Sequence, residues 1–198
     1  MSTPGPRLHD AIERIQAFTA GRQPIGARHD EADDSVGTIG TDDAIGFDPI
    51  SLLSAFDRHG AEVVAIGQVA GILHGSSELT GDLDLLWSGS ESDAPRIAAA
   101  LADAEALLFD HDMVPITSTP DGLTLAKVMF ETATASGDLC TPRLPWGALD
   151  VGAFMSRAEQ CVTDGVTIRY ITKHDLIAMR RAVGRPKDIR RADELEQL

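Results

Sequence analysis

Residues 67–87 read Gly67-Gln-Val-Ala-Gly-Ile-Leu-His-Gly-Ser-Ser-Glu-Leu-Thr-Gly-Asp-Leu-Asp-Leu-Leu-Trp87, which places two carboxylates one residue apart behind a glycine. Side chains alternate between the two faces of a β-strand. Asp82 and Asp84 are therefore predicted to share one face, while Leu83 and Leu85 are buried on the other. Hard cations such as Mg²⁺ bind one or two carboxylates together with substrate phosphates. The pattern predicts a metal site for phosphoryl or nucleotidyl transfer.

The residues before this pair predict a site for phosphate. A short apolar run, Glu62-Val-Val-Ala-Ile66, predicts a strand, and residues 68–74 predict a helix. A strand followed by a glycine turn and a helix N-terminus directs backbone N–H groups and the positive end of the helix dipole at an anion. Gly67 and Gln68 are therefore predicted to bind a triphosphate. The simpler alternative is that glycine permits close packing here.

A two-metal site needs a further carboxylate from a neighbouring strand. The run Ala148-Leu-Asp-Val-Gly-Ala-Phe154 predicts a buried strand, which makes Asp150 the predicted third ligand and the group that activates an attacking hydroxyl. Taken alone, an Asp-x-Asp pair after Thr-Gly is more often a solvated turn or strand end. The combination of the glycine turn, the acid pair and the third acid is what favours a functional site.

These three features together resemble the DNA polymerase β-like nucleotidyltransferase superfamily. Its pattern is Gly-Ser or Gly-Gly, a spacer, an acid-hydrophobic-acid motif and a later third acid. Here the matching residues are Gly67-Gln68, Asp82-Leu83-Asp84 and Asp150, with Gln68 in place of the small residue. The resemblance implies an α+β fold, with a nucleotidyltransferase-like mixed β-sheet flanked by helices, N-terminal helices and a C-terminal helical segment.

The C-terminal part is similar to the closing motifs of the AbiEii-type group, which includes toxins of bacterial toxin–antitoxin pairs and the mycobacterial nucleotidyltransferase toxins. Those motifs read Asp-Leu-x-Ala-x-Lys and then Arg-x-Lys with an Asp close behind. Asp175-Leu176 and Ala178 match the first motif, but Arg180 stands where lysine is usual. The second motif is matched by Arg185, Lys187 and Asp188.

The resemblance implies a set of site residues and a chemistry. The metal, Mg²⁺ or Mn²⁺, is expected at Asp82, Asp84 and Asp150. The substrate, a nucleoside triphosphate (NTP), is expected at Gly67, Gln68 and Arg185. Catalytic roles are expected for Asp82, Asp84, Asp150, Arg180, Lys187 and Asp188.

The implied activity is that of a toxin that transfers nucleoside monophosphates from an NTP to the 3′ end of tRNA, blocks translation, and is neutralised by a cognate antitoxin protein. Two alternatives stay open. One is nucleotidyl transfer to a protein or to a small hydroxylated compound. The other, of a different class, is a non-catalytic nucleotide- or partner-binding module whose functional part is the acidic segment 20–47.

Length and composition fit a small enzyme with one core. The chain has 198 residues, of which 43% are hydrophobic. Neither a membrane span nor a signal peptide is expected, and a cytoplasmic location is the default. The expected organisation is an N-terminal helix with an acidic, glycine-rich arm in residues 1–47, a nucleotidyltransferase core in 48–171, and a basic helical segment in 172–198 packed on that core.

Charge is divided unevenly along the chain. The net charge is −14, yet residues 169–198 hold eight basic side chains against five acidic ones. An acidic body repels nucleic acid, whereas a basic C-terminal face is suited to a triphosphate and to the phosphates of a small structured RNA. The alternative is that these cations form the solvated face of a surface helix.

Overall fold

A mixed β-sheet forms the centre of the protein in a computed structural model that describes residues 3–27 and 38–198. The strands in these residues are β1 (Val64–Ala65), β2 (Leu83–Leu86), β3 (Leu107–Phe109), β4 (Pro115–Ile116), β5 (Lys127–Glu131), β6 (Ser136–Cys140), β7 (Glu159–Thr163) and β8 (Val166–Tyr170). They pair in the order β4-β3-β5-β6-β2-β1-β8-β7. The central strand β2 is antiparallel to β1 and parallel to β6.

Helices precede, interrupt and follow the sheet. In the described residues they are α1 (Pro4–Thr19), α2 (Ile50–Arg58), α3 (Gly67–Leu73), α4 (Ala94–Asp103), α5 (Val151–Arg157), α6 (Lys173–Val183) and α7 (Pro186–Gln197). Short 3₁₀ turns cover Thr38–Gly40, Asp42–Ala44 and Asp121–Thr124. The predicted α+β class, with a mixed sheet and helices near both termini, is confirmed. None of the described helices has the length and apolar character needed to cross a membrane.

Strand β2 shows the predicted alternation around Asp84. Leu83 and Leu85 are fully buried in the hydrophobic core, while Asp84 between them is only partly buried. Burying a leucine side chain stabilises the fold by about 1.5 to 3 kcal/mol. A shift of the strand by one residue would turn the Asp84 carboxylate towards the side that Leu83 and Leu85 fill, so burial of these leucines fixes the face on which Asp84 lies, although Leu86 on that face is buried as well.

The ends of α6 are set by local chemistry. The Thr172 hydroxyl accepts a hydrogen bond from the backbone N–H of Asp175 (3.1 Å), which caps the first turn. Gly184 ends the helix in the left-handed conformation, with φ +74°. Pro186 then begins α7, which packs against α6.

The described part of the acidic arm packs on the core. The Arg22 guanidinium donates to the carbonyls of residues 39–41 over 2.7 to 2.8 Å, and so ties the start of the arm to its end. Ala44 lies so close to Gly81 that a Cβ on that glycine would be 2.5 Å from the Ala44 Cα. Ser136 donates to Asp43 over 2.9 Å. The arm therefore contacts the starts of β2 and β6, and its residues 28–37 lie outside the described part of the chain.

Candidate active site

The two predicted acids lie at one cavity. Asp82 directly precedes β2 and is buried, and Asp84 is the second residue of that strand. The Thr80 hydroxyl donates to one Asp82 carboxylate oxygen. Both aspartates line a cavity of about 230 Å³. Their side chains are therefore available to the same ligand.

The third acid at the cavity is Asp138. Strand β6 lies parallel to β2 with Asp138 opposite Asp84, and Asp138 lines the same cavity. A Cβ at Gly137 would lie 2.0 Å from the carbonyl oxygen of Leu83, so only glycine allows this close approach of the two strands. The neighbouring strand thus supplies the carboxylate that a shared metal site requires.

The predicted strand at residues 148–154 is wrong. Asp150 is the N-cap of α5, and its exposed carboxylate accepts a hydrogen bond from the backbone N–H of Ala153 (3.2 Å). It is not among the described residues that line the cavity. Aspartate is a favoured N-cap because it satisfies an amide of the first helical turn. An acid beside a short apolar run can therefore belong to a strand or cap the start of a helix, and Asp150 caps a helix.

The Asp138 signal was present in the sequence but weak. Asp138 stands within a Gly-Asp-Leu triplet, Gly137 to Leu139, the same triplet that begins the first acid pair at Gly81. The strand that holds it has only two buried residues, Leu139 and Cys140, so its apolar alternation is short. Repetition of the triplet was the usable clue.

Negative charge accumulates at this edge of the sheet. The pKa of Asp84 is raised well above its usual value by burial and then by the charges of Asp82 and Asp138, against the opposing effect of Lys127 and Arg185. The Lys127 ammonium binds Asp138, with 2.9 Å between Nζ and Oδ2. These three carboxylates match the oxygen donors that Mg²⁺ prefers, and the cations that also line the cavity offset part of their charge. Asp82, Asp84 and Asp138 are thus the residues that could hold a divalent metal.

Gly67 lies directly against the Asp84 carboxylate. Its φ is +60°, and a Cβ there would lie 2.0 Å from the Asp84 Oδ2. The predicted order of strand, glycine turn and helix is confirmed, since β1 ends at Ala65 and α3 begins at Gly67. Glycine is required at this position both for its backbone conformation and for the space that the carboxylate occupies.

The Gln68 side chain forms its hydrogen bonds with other groups of the protein. It is buried, and its Nε2 donates to the Ser76 hydroxyl (3.0 Å) and to the Glu78 carbonyl (2.7 Å). Its Oε1 accepts from Arg180 Nη2 over 2.7 Å. Gln68 lines the cavity, but these bonds use both hydrogens of its amide and its oxygen. The structure therefore gives this side chain an internal bridging role.

Arg180 joins three elements behind the same cavity. It is 4% exposed, and it donates to the carbonyls of Gly67 and Arg191, both over 3.1 Å, as well as to Gln68. Burial, followed by the nearby Arg191 charge, lowers its pKa to about 10, which leaves it protonated at neutral pH. Arg180 thus links the start of α3 to α7 while its charge lines the cavity.

The second C-terminal motif supplies two further cations of the site, Arg185, which is exposed, and Lys187, which is partly buried. Arg185, Lys187 and Asp188 all line the cavity. Arg185 Nε donates to Asp188 Oδ2 over 2.6 Å, and Asp188 is buried. More than half of the Arg185 side chain is exposed, and its charge partly opposes the rise in the pKa of Asp84. This placement suits Arg185 and Lys187 for contact with phosphate groups beside the acids.

The basic C-terminal face is smaller than its composition suggests. Arg191 is buried, and its Nε and Nη2 both donate to Glu78 Oε1, over 3.0 and 2.6 Å. The Arg181 guanidinium is bound to Glu196 and Asp193. Arg190 is 66% exposed, 3.8 Å from the other Glu78 oxygen. Arg191 therefore joins the loop before Asp82 to α7 and is not a surface group for RNA.

A second acidic cluster lies on the surface. Within residues 3–27 and 38–198, the metal-ligand atoms of Asp110, His111 and Asp112 all lie within 4.8 Å of one another. Asp110 Oδ1 accepts backbone hydrogen bonds from Asp112 and Val114, both 2.9 Å, so it orders the turn between β3 and β4. Asp82, Asp84 and Asp138 are not grouped this closely in the described part of the chain. The surface cluster is explained by its turn.

Comparison with protein-family models gives no match, and none of the curated proteins matches the chain.

Proposed function

We propose that the protein is a metal-dependent nucleotidyltransferase, with Asp82, Asp84 and Asp138 as its metal ligands and an NTP as its substrate. The observation that carries this proposal is that three carboxylates, on or directly before two adjacent strands, line one cavity together with Arg185 and Lys187. Carboxylates are suited to a metal, and these two cations are suited to the phosphates that the metal neutralises. A solvated turn would not explain why the third acid faces the same cavity.

The reaction follows from this arrangement. An acceptor hydroxyl forms a bond to the α-phosphorus while the bond from that phosphorus to the bridging oxygen breaks, and pyrophosphate leaves. Bound Mg²⁺ or Mn²⁺ would neutralise charge on the phosphates. Arg185 and Lys187 bind the departing pyrophosphate. Asp138 replaces Asp150 as the proposed acceptor of the hydroxyl proton. The phosphates are placed at Gly67, and Asp138 lies on β6, which is farther from Gly67 than β2 is.

The remaining C-terminal groups position the site in this proposal. Arg180 fixes the carbonyl of Gly67 and the amide of Gln68, and so holds the turn that faces the phosphates. Asp188 orients the guanidinium of Arg185. Neither residue needs to touch the reacting atoms in order to affect the rate.

We further propose that the acceptor is the 3′ end of tRNA, and that the protein is a cytoplasmic toxin neutralised by a cognate antitoxin. The support is the motif resemblance at residues 175–188 together with the cations of that segment. The test is incubation of the purified protein and Mg²⁺ with each α-labelled NTP and, separately, tRNA, a protein mixture and small hydroxylated compounds. Label in tRNA alone supports the proposal, and label in another acceptor would redirect it. Absence of transfer from every NTP would favour the non-catalytic binding module.

Binding of Mg²⁺ should stabilise the protein more at high pH than at low pH. A carboxyl whose pKa is raised in the folded state costs stability as the pH rises from its usual value of 3.8 to the raised value, because the unfolded chain ionises in that range while the folded protein still holds the proton. Mg²⁺ binds the ionised form and offsets that cost. We expect the rise in melting temperature on adding Mg²⁺ to be larger at pH 8 than at pH 5.

The control for this prediction is Asp84→Asn, which removes the titrating group at nearly constant volume. The variant should have a higher melting temperature than the parent at pH 8 without metal, and a reduced response to Mg²⁺. An equal response to Mg²⁺ at both pH values in the parent protein would contradict the prediction.

The salt dependence of tRNA binding should identify the surface cation that contacts RNA. Removing one phosphate contact flattens the log–log slope of affinity against salt by about 0.7 to 0.9. We expect this change for Arg190→Ala, since Arg190 is exposed and only loosely paired. Arg181→Ala is the matched control, because Glu196 and Asp193 already bind that guanidinium. An unchanged slope for Arg190→Ala would move the RNA contact elsewhere.

A further inference from the structure

Part of the cavity lining is apolar. Leu144 and Trp146 come from the loop that follows β6, and Met179 and Val183 come from the face of α6 that also carries Arg180. These side chains line the same cavity as the three acids and the two cations of the proposed site. Apolar side chains do not bind phosphate or metal, because both need charged or polar partners. The part of a nucleotide that has flat apolar faces is its base.

Two hydrogen bonds hold Trp146 in a fixed orientation in this apolar part of the lining. Its indole Nε1 donates to the carbonyl of Thr141 over 2.9 Å, and its backbone N–H donates to the carbonyl of Leu144 over 2.8 Å. Thr141 is itself fully buried and donates to the carbonyl of Ala126. The loop is thus tied to the end of β6 next to Cys140. Since the only polar atom of the indole is already bonded, a cavity ligand contacts Trp146 through its ring.

We propose that Trp146 is the platform on which the nucleobase of the substrate stacks. The proposal rests on the proposed function, because it assumes that the acids and the two cations hold the triphosphate of the same molecule. Every base has a π-face, so stacking tolerates all four bases. The aliphatic side chains of Leu144 and Val183 carry no hydrogen-bonding groups with which to read a base edge. The substrate class is therefore nucleoside triphosphates with little preference for one base.

The position of Trp146 provides a direct measurement. The chain contains two tryptophans, and the other, Trp87, is 2% exposed in the core. Base stacking on Trp146 should quench its fluorescence when an NTP is titrated into the protein with Mg²⁺. Inorganic triphosphate with Mg²⁺ should bind, as followed by calorimetry, without this quenching. All four NTPs should quench, which tests the proposed tolerance for bases.

Two variants distinguish the effect of the aromatic ring of Trp146 from the effect of its indole hydrogen bond. Both Trp146→Leu and Trp146→Phe remove the donor to Thr141, but only Phe keeps an aromatic face. Loss of stacking should weaken NTP binding by about 5- to 150-fold in Trp146→Leu. Trp146→Phe should keep most of the affinity and lose the quenching, which assigns the signal to residue 146. Inorganic triphosphate should bind the parent and both variants equally.

The outcomes distinguish this inference from the function on which it rests. NTP binding without quenching in the parent, or equal NTP affinity in Trp146→Leu and the parent, would overturn the base platform while leaving a nucleotide site in place. Binding of inorganic triphosphate as tightly as NTP would also overturn it. If neither NTP nor triphosphate binds the parent with Mg²⁺, the proposed function fails and the platform fails with it.

Discussion

Asp138→Asn should lose Mg²⁺-dependent nucleotide transfer, whereas Asp150→Asn should retain it. Asn keeps the size of the side chain but removes the negative charge that a metal ligand provides. Metal coordination contributes several kcal/mol to stabilisation of the transition state, so we expect a loss of about 10³-fold or more. The measurement is the initial rate of labelled nucleotide transfer to the acceptor that the parent protein uses, at saturating Mg²⁺.

The two variants carry the same change, Asp to Asn, at two different positions. Asn is as good an N-cap as Asp, so Asp150→Asn should keep α5 intact and leave the melting temperature nearly unchanged. Asp138→Asn removes the partner of Lys127, and its melting temperature must be measured to show that the loss of rate is not a loss of fold. Activity retained in Asp138→Asn and lost in Asp150→Asn would return the third ligand to Asp150.

Gly67→Ala should inactivate the protein at a modest cost in stability. The left-handed backbone at φ +60° costs an alanine roughly 1 to 2 kcal/mol. The added Cβ would also lie 2.0 Å from Asp84 Oδ2, which forces the carboxylate out of its position. A metal ligand displaced by an ångström costs far more in rate than in stability, because catalysis depends on geometry. Chemical denaturation and the transfer rate, measured on the same sample, test both effects.

Gly60→Ala supplies the control for the strained backbone. Gly60 has φ +58°, nearly the same as Gly67, but no described heavy atom beyond its chain neighbours lies within 4 Å of the position of its added Cβ. It follows α2, and the residue is exposed. We expect a similar loss of stability and full activity. If Gly67→Ala is as active as Gly60→Ala, the contact with Asp84 has no role in the reaction.

Much of the local structure was predictable because it depends on neighbours in the sequence. Thr172 and Gly184 bound α6 as their capping chemistry predicts, and Gly67 separates β1 from α3 as the turn pattern predicts. The alternation around Asp84 identified both the strand and the buried leucines. Each of these features is decided within a few residues, by dihedral preferences and by burial of alternate side chains.

The hydrogen bonds that join distant elements behind the site were not predictable from the sequence. Gln68 is predicted from the sequence to bind a triphosphate and Arg191 belongs to the basic C-terminal segment, yet the structure bonds both side chains inside the protein. Arg180 has the same ambiguity, since its acceptors lie on α3, some 110 residues earlier, and on α7. A buried arginine and an exposed one are identical in sequence, and only the packing of distant elements decides which is which.

The sequence by itself determined the acid pair, the glycine turn before it and the C-terminal cations, because each is a short motif whose residues are neighbours. Tertiary structure decided which acid is the third, because the repeated Gly-Asp-Leu triplet is only a weak signal for Asp138. Asp138 reaches the site because β6 pairs in parallel with β2 in a register that sets it opposite Asp84, more than fifty residues away. Asp150 is left at a helix cap. Strand pairing over that distance is fixed by the packing of the whole core, and no local pattern encodes it.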